Sequence, residues 1–337
     1  MRLIGPGRDR ARHGRGRAAV TVSILAMIMS VVGGLFTAGS AAGTAPGTVT
    51  GPAAEPAAAA DPECLRAGEA SGPCADELSF PTAFPATPLH GMIFIIAGGG
   101  WQSAQPEAVA EVYRQTSDRW LARGYAVAMV EHGDGSDVLP DTPTGRQAFD
   151  NVLQWYDLYR GFWDGRAGYG PDFPICATGL SSGGHFALLL GAHRPSLDCV
   201  VAEAPPTRID YKAEPGVPSH APGIPQEIQY LADRTFSGVQ GESPSPSWSP
   251  LRLRSQITMP VLIGHASNDN VVLVTQTRSF CVVTAAFDCR AVYLPASKVG
   301  APDFTHANVN DKSLVSFRAV EQAFVCSVVS SVTGPCT

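Results

Sequence analysis

The chain predicts an α/β protein built on a mostly parallel central sheet with helices on both faces. Two observations predict it: apolar runs of strand length recur from residue 90 onward, and helix-like segments separate them. Strands buried on both faces read as continuous apolar runs, as these do.

The first strong run is GMIFIIA, residues 91 to 97. A glycine-rich turn leads into PEAVAEVYRQTSDRWLARG, where Val109, Val112, Tyr113, Trp120 and Leu121 suit one helical face. Pro106 opens that helix and Gly124 closes it. YAVAMVEH (125 to 132) is the next strand, GRQAFDNVLQWYDLY (145 to 159) the next helix, and PICATGL (174 to 180) the third strand. A short apolar helix follows over residues 182 to 193. CVVAEA (199 to 204) and PVLIGHA (260 to 266) are strands, and CRAVYLPA (289 to 296) is the last strand after a helix over 272 to 286. The proline-rich stretch 205 to 250 breaks the rhythm. It is too long for an ordinary connection and is expected to be a cap insertion at the strand ends, where ligands bind; an irregular surface excursion is the alternative.

The segment CATGLSSGGHF holds a G-x-S-x-G pattern centred on Ser181, at the junction of a buried strand and a helix. Small neighbours permit the sharp turn that projects a nucleophile above the sheet, whereas an ordinary turn serine needs no such context. A serine hydroxyl becomes nucleophilic only when a base takes its proton, and that base needs an acid to hold its tautomer. In hydrolases of this architecture the acid and then the histidine follow the serine. Asp269, in SNDNVV directly after the strand 260 to 266, is the candidate acid. His306, in the loop after the last strand, is the candidate base.

Rivals exist for each role. His132, His185 and His265 are rival bases, with His265 reading as a buried structural histidine and His185 pointing away along the elbow helix. Glu203 and Asp210 are rival acids, while Asp303 reads as loop solvation or a turn. The oxyanion of acyl transfer needs aimed N–H donors, expected from Ser182 and from Gly99 or Gly100 in AGGGW. A phosphate cradle is the alternative for these glycines, but neither G-K-[ST] nor GxGxxG is present. Trp101 beside that loop is a candidate substrate-pocket wall or, as a large aromatic, core.

The first 42 residues run from a basic stretch through AAVTVSILAMIMSVVGGLF to small residues, the order of a secretory signal peptide; an uncleaved membrane anchor is the competing reading. Residues 43 to 62 read as a flexible Pro/Ala-rich linker, and residues 63 to 337 as one catalytic domain. The leader holds six of the 24 Lys+Arg and one of the 30 Asp+Glu, so its removal leaves a net charge near −11. Such a surface repels phosphate backbones and anionic membranes, which argues against nucleic-acid partners and stable membrane association. All eight cysteines lie beyond the linker, an even number suited to disulfides in an exported chain. Proximity suggests Cys64–Cys74, Cys281–Cys289 and Cys326–Cys336, and Cys176–Cys199 if their strands are neighbours. A zinc site is the competing use of these cysteines, but no CxxC pair or histidine cluster accompanies them.

GLSSGGHFALLLGAH, PVLIGHASNDNVV and FTH, with AGGGW upstream, resemble the α/β-hydrolase superfamily, in particular its esterase branch with GxSxGGH elbows and HGGG-type oxyanion loops. The resemblance spans roughly residues 85 to 325. It implies Ser181 as nucleophile, Asp269 as acid, His306 as base and Gly99 and Gly100 in the oxyanion loop. Ala97 departs from the pattern, standing where the branch carries a loop-bracing histidine. The expectation is a secreted, monomeric serine hydrolase that cleaves small-molecule or polymeric carboxylic esters without metal or cofactor. A secreted serine peptidase of the same fold and an inactive hydrolase-fold binding protein are the alternatives.

Overall fold

The computed structural model describes residues 78–79, 88–101, 116–130, 144–211, 220–282, 288–294 and 315–333. All of them lie in one compact unit, Ala58–Thr337. The leader, the linker, Cys64, Cys74, Cys336, His132, Asp303 and His306 lie outside the described residues.

Seven strands form one sheet: β1 (Leu78–Ser79), β2 (Met92–Ile96), β3 (Ala126–Val130), β4 (Ile175–Leu180), β5 (Cys199–Glu203), β6 (Val261–Ala266) and β7 (Cys289–Leu294). Their order is β1-β3-β2-β4-β5-β6-β7. Every described pairing is parallel except that of β1 with β3. The six parallel strands coincide with the apolar runs of the sequence. The two-residue β1 adds an edge strand too short to leave an apolar run.

The apolar runs are continuous because successive side chains enter two different cores. Phe94, Ile96, Ala128, Ile175, Ala177, Val200 and Ile263 face one side, packed by α1 (Thr144–Asp164) and α2 (Ser182–His193). Ile93, Ile95, Val127, Val201 and Leu262 face the other, where Trp120 of the helical stretch 116–121 and Phe317, Phe324, Val325 and Val329 of a C-terminal helix cover them. The remaining helices are α3 (Gln226–Phe236), α4 (Pro250–Leu253), α5 (Thr275–Phe280) and the C-terminal α6 (Val315–Thr333). Gly264 in β6 makes room for α6: a Cβ there would lie 2.5 Å from Phe317 Cε2. Among the described residues no helix is long and apolar enough to cross a membrane.

Cys176 and Cys199 are register partners on β4 and β5 and form a disulfide. Cys281 and Cys289 form another, joining the end of α5 to the start of β7. Cys326 is disulfide-bonded as well.

The insertion 205 to 250 is no structureless excursion over its described residues. It contains α3, a 3₁₀ turn at Pro246–Trp248 and the start of α4. Prolines cannot build a hydrogen-bond ladder, so buried side chains satisfy the neighbouring backbone. Gln276 Oε1 accepts from the N–H groups of Thr207 and Arg208, and its Nε2 donates to the Arg208 and Pro222 carbonyls. Ser249 Oγ accepts from Ile209 and Asp210, while Gln229 bridges Ala221 and Ile209. Buried Asp233 accepts from Tyr211, Gln229 and the Gly241 N–H.

A second buried polar group sits on the opposite face. Glu203, at the carboxyl end of β5, accepts from Arg318 of α6 at 2.8 Å. Arg318 also donates to Glu321, which pairs with Arg119 at 2.8 Å. Burial pushes the Glu203 carboxyl from its ordinary 4.5 up to about 7, with Arg318 pulling it down and Glu321 pushing it up. The folded-state value lies above the unfolded one, so protonation favours the native state. That contribution is fully present below pH 4.5 and is lost as the pH rises through about 7. Glu203→Gln removes the titration. Urea unfolding of variant and wild type at about pH 5 and about pH 8 is expected to show the difference moving in the variant's favour by on the order of 2–3 kcal/mol as the pH rises.

Candidate active site

Ser181 stands between the end of β4 and the first residue of α2 with φ 56° and ψ −120°. A non-glycine residue there carries strain of roughly 1–3 kcal/mol and persists only when its surroundings impose it. They do so here. The Ser181 N–H donates to the Glu203 carbonyl at 2.8 Å, and the Ser181 carbonyl accepts from the His185 N–H at 2.9 Å. Both main-chain groups are thus committed, and the residue is half-buried at the carboxyl edge of the sheet.

The glycines of the pattern are demanded by backbone crossings. A Cβ on Gly179 would meet the Gly183 carbonyl carbon, with the Gly183 oxygen at 2.6 Å and the Gly184 nitrogen at 2.8 Å. A Cβ on Gly183 would strike the Ile96 carbonyl oxygen, with the Ala97 carbonyl carbon at 2.8 Å. The elbow is therefore in backbone contact with the end of β2, from which the glycine-rich loop emerges. α2 is buried along almost its whole length, so its position is fixed by packing on every side. Its first N–H groups and positive dipole end lie beside Ser181.

In the loop, Gly99 and Gly100 have φ of 126° and 71°, and Trp101 follows at 63°. A Cβ on Gly100 would lie 2.8 Å from Leu231 Cδ2, so the insertion's α3 sits over the loop. Trp101 is 3% exposed, with its ring centroid 5.5 Å from those of both His185 and Phe236. Of the two roles read for it, the side chain occupies a core position beneath the loop.

Asp269 lies just beyond β6 on the same edge as Ser181, and it is buried. Its Oδ1 accepts from the N–H groups of Val271 and Val272, each at 2.9 Å, and its Oδ2 is 3.3 Å from His265 Nε2. The loop thus grips the carboxylate from its own backbone. His265 is fully buried: Nε2 donates to the Val272 carbonyl at 2.7 Å, so Nδ1 is the acceptor for the Thr277 hydroxyl at 2.6 Å.

His185 is equally occupied. Trp101 Nε1 donates to its Nδ1 at 2.7 Å, and its Nε2 faces the Trp248 carbonyl at 2.7 Å. Burial lowers its pKa to about 4. Neither of these two rival histidines has a ring nitrogen left to take a proton from Ser181. The rival acids are committed too. Glu203 is held by Arg318, and Asp210 accepts from Arg252 at 2.8 and 3.1 Å. Although burial pushes the Asp210 carboxyl up, the Arg252 and Ser249 hydrogen bonds hold it below its ordinary value. The expected base, His306, lies outside the described residues.

The sequence reading did not find the Trp101–His185–Trp248 connection or the side chains that pin the insertion. Their partners are separated by tens of residues, 84 for Trp101 and His185, and no local pattern signals them.

The strand order, with Ser181 directly after β4 and Asp269 just beyond β6, is that of an α/β-hydrolase fold. Solved structures agree. Esterase 2 of Thermogutta terrifontis, phosphonylated by sarin, is similar over 77% of this chain and 90% of its own, with TM-score 0.50 and 19% identity. A Staphylococcus aureus protein of unknown function is similar over 75% and 93%, with TM-score 0.51 and 14% identity. The Pyrococcus horikoshii acylaminoacyl peptidase is similar over 74% of this chain but 39% of its own, with TM-score 0.52 and 13% identity. At these identities the likeness is one of fold. No protein-family model matches the chain, and no curated protein matches it either.

The Ser182 hydroxyl is buried without a hydrogen-bond partner among the described residues. A buried unsatisfied hydroxyl destabilises, so Ser182→Ala, which keeps the backbone N–H, is expected to raise the unfolding free energy by about 1 kcal/mol in urea titration.

Proposed function

We propose that the protein is a secreted serine hydrolase that cleaves carboxylic esters through an acyl-enzyme. The observation that carries this reading is the strained backbone of Ser181 at the β4–α2 junction, imposed by close contacts at Gly179 and Gly183. A turn that needed only to reverse the chain would not require a serine at φ 56°.

In this reading Ser181 Oγ attacks the ester carbonyl while His306 takes its proton, and Asp269 holds the imidazole in the required tautomer. The developing oxyanion is received by the N–H groups of Ser182 and of Gly99 or Gly100, supported by the positive end of α2. His306 returns the proton to the departing alcohol. Water, activated by the same histidine, then releases the acid and restores the serine. No metal or cofactor takes part, and a monomer suffices.

Export is proposed on the leader-like first 42 residues and supported by the disulfides Cys176–Cys199 and Cys281–Cys289, which persist in oxidising compartments. The esterase among the structural neighbours supports the ester reading only at the level of fold.

Turnover of p-nitrophenyl acetate, butyrate and octanoate is to be compared with that of a peptide anilide. Wild type is expected to hydrolyse at least one ester, and Ser181→Ala to lower kcat by roughly 10³-fold or more with the fold intact by circular dichroism. Hydrolysis of the anilide alone would make the protein a peptidase. Neither turnover nor labelling of Ser181 by a fluorophosphonate would make it an inactive binding protein.

A further inference from the structure

Three consecutive residues of the glycine-rich loop, Gly99, Gly100 and Trp101, lie at positive φ. The first two can do so freely, but a tryptophan cannot, and left-handed backbone at such a residue costs roughly 1–2 kcal/mol. Something outside the loop must hold Trp101 there.

The holding group is an imidazole. Trp101 Nε1 donates to His185 Nδ1 at 2.7 Å, and the bond is buried, with Trp101 3% and His185 0% exposed. A carbonyl can only accept, so the Trp248 oxygen, 2.7 Å from His185 Nε2, fixes the proton on Nε2. Nδ1 is left with its lone pair aimed at the indole. The backbone carbonyl of the insertion thus sets the tautomer, the tautomer makes the acceptor, and the acceptor holds the loop. Phe236 closes the arrangement, its centroid 5.5 Å from the Trp101 and His185 rings and 5.1 Å from Trp248. His185 also rides on the first turns of α2, so one side chain ties the loop, the elbow helix and the insertion together.

We propose that the Trp101–His185–Trp248 chain is the brace that holds the N–H groups of Gly99 and Gly100 in place to receive the oxyanion. His185 is then a positioning residue for acyl transfer. The inference rests on the esterase reading for its catalytic consequence, and on the structure alone for the holding of the loop.

The test uses Trp101→Phe, which deletes the indole N–H and keeps a ring, and His185→Gln, which keeps one acceptor and one donor on a single planar group. Hydrogen–deuterium exchange of the peptide covering 98 to 101 is read alongside hydrolysis of p-nitrophenyl butyrate. It is also read alongside inhibition by butaneboronic acid, which forms a tetrahedral anionic adduct, and by butyrate, which does not. For Trp101→Phe the brace predicts amide exchange in that peptide at least about 10-fold faster than wild type with little change elsewhere. It predicts kcat lower by about 10- to 100-fold with KM nearly unchanged, and boronate affinity weakened by a similar factor while butyrate affinity holds. His185→Gln is expected to fall between that variant and wild type in both readouts. A merely space-filling role would leave the boronate-to-butyrate ratio and the loop exchange as in wild type, and that result overturns the proposal. If Trp101→Phe fails to fold, His185→Gln decides alone: loop exchange and boronate affinity both unchanged overturns the brace. If wild type turns over no ester, the esterase reading fails, and the exchange data still decide whether the brace holds the loop.

Discussion

The site depends on one steric constraint: at Gly183 the backbone of the elbow helix touches the backbone leaving β2. Nothing larger than hydrogen fits there, and the same holds at Gly179 one residue before the tip of β4. Because the two chains touch, the turn between them is tight. Because it is tight, Ser181 is driven to a backbone conformation that side chains avoid, and its two main-chain hydrogen bonds hold it there. The loop carrying Gly99 and Gly100 starts at that same contact, so the proposed nucleophile and oxyanion donors share one origin. The geometry of the elbow begins with the absence of two side chains.

Around that contact the molecule invests in rigidity. α2 is apolar on all sides and buried in the sheet's larger core, so it has no wet face along which to shift. The insertion covers the loop from above through Leu231, and it is bound by buried amides and a buried carboxylate. Such polar networks are stabilising only when every partner is present, so the insertion's described residues have one arrangement and little slack. Burial raises the Asp233 carboxyl above its ordinary range, and its three donors work against that rise.

Charge on the two faces is handled differently. The face carrying α6 buries two carboxylates and two guanidiniums around Glu203, directly behind the strand end that supports Ser181. Pairing limits the desolvation penalty of each, but removing one member would leave another charge buried and uncompensated. On the other face, His265 and His185 have both ring nitrogens engaged, His265 with Val272 and Thr277 at the Asp269 loop and His185 with Trp248 and Trp101, and burial lowers the pKa of His185. Two imidazoles that a sequence motif search would flag as bases are therefore structural.

The sequence determined the mostly parallel sheet, the succession of its six parallel strands along the chain and the serine at a strand–helix junction. Each of these is written in local pattern: apolar run length, glycine spacing and the order of motifs along the chain. The pairing of Cys176 with Cys199 was legible only conditionally, since it required β4 and β5 to be neighbours. What tertiary structure alone decided is which polar groups meet. That α3 lies inside the proline-rich insertion escaped detection because proline punctuation masked a single amphipathic stretch. The links from Trp101 to His185, from Gln276 to Thr207 and from Arg318 to Glu203 join residues far apart in the chain. Hydrogen bonds between distant side chains are fixed by how the elements pack, and packing is a property of the whole fold that no window of sequence contains.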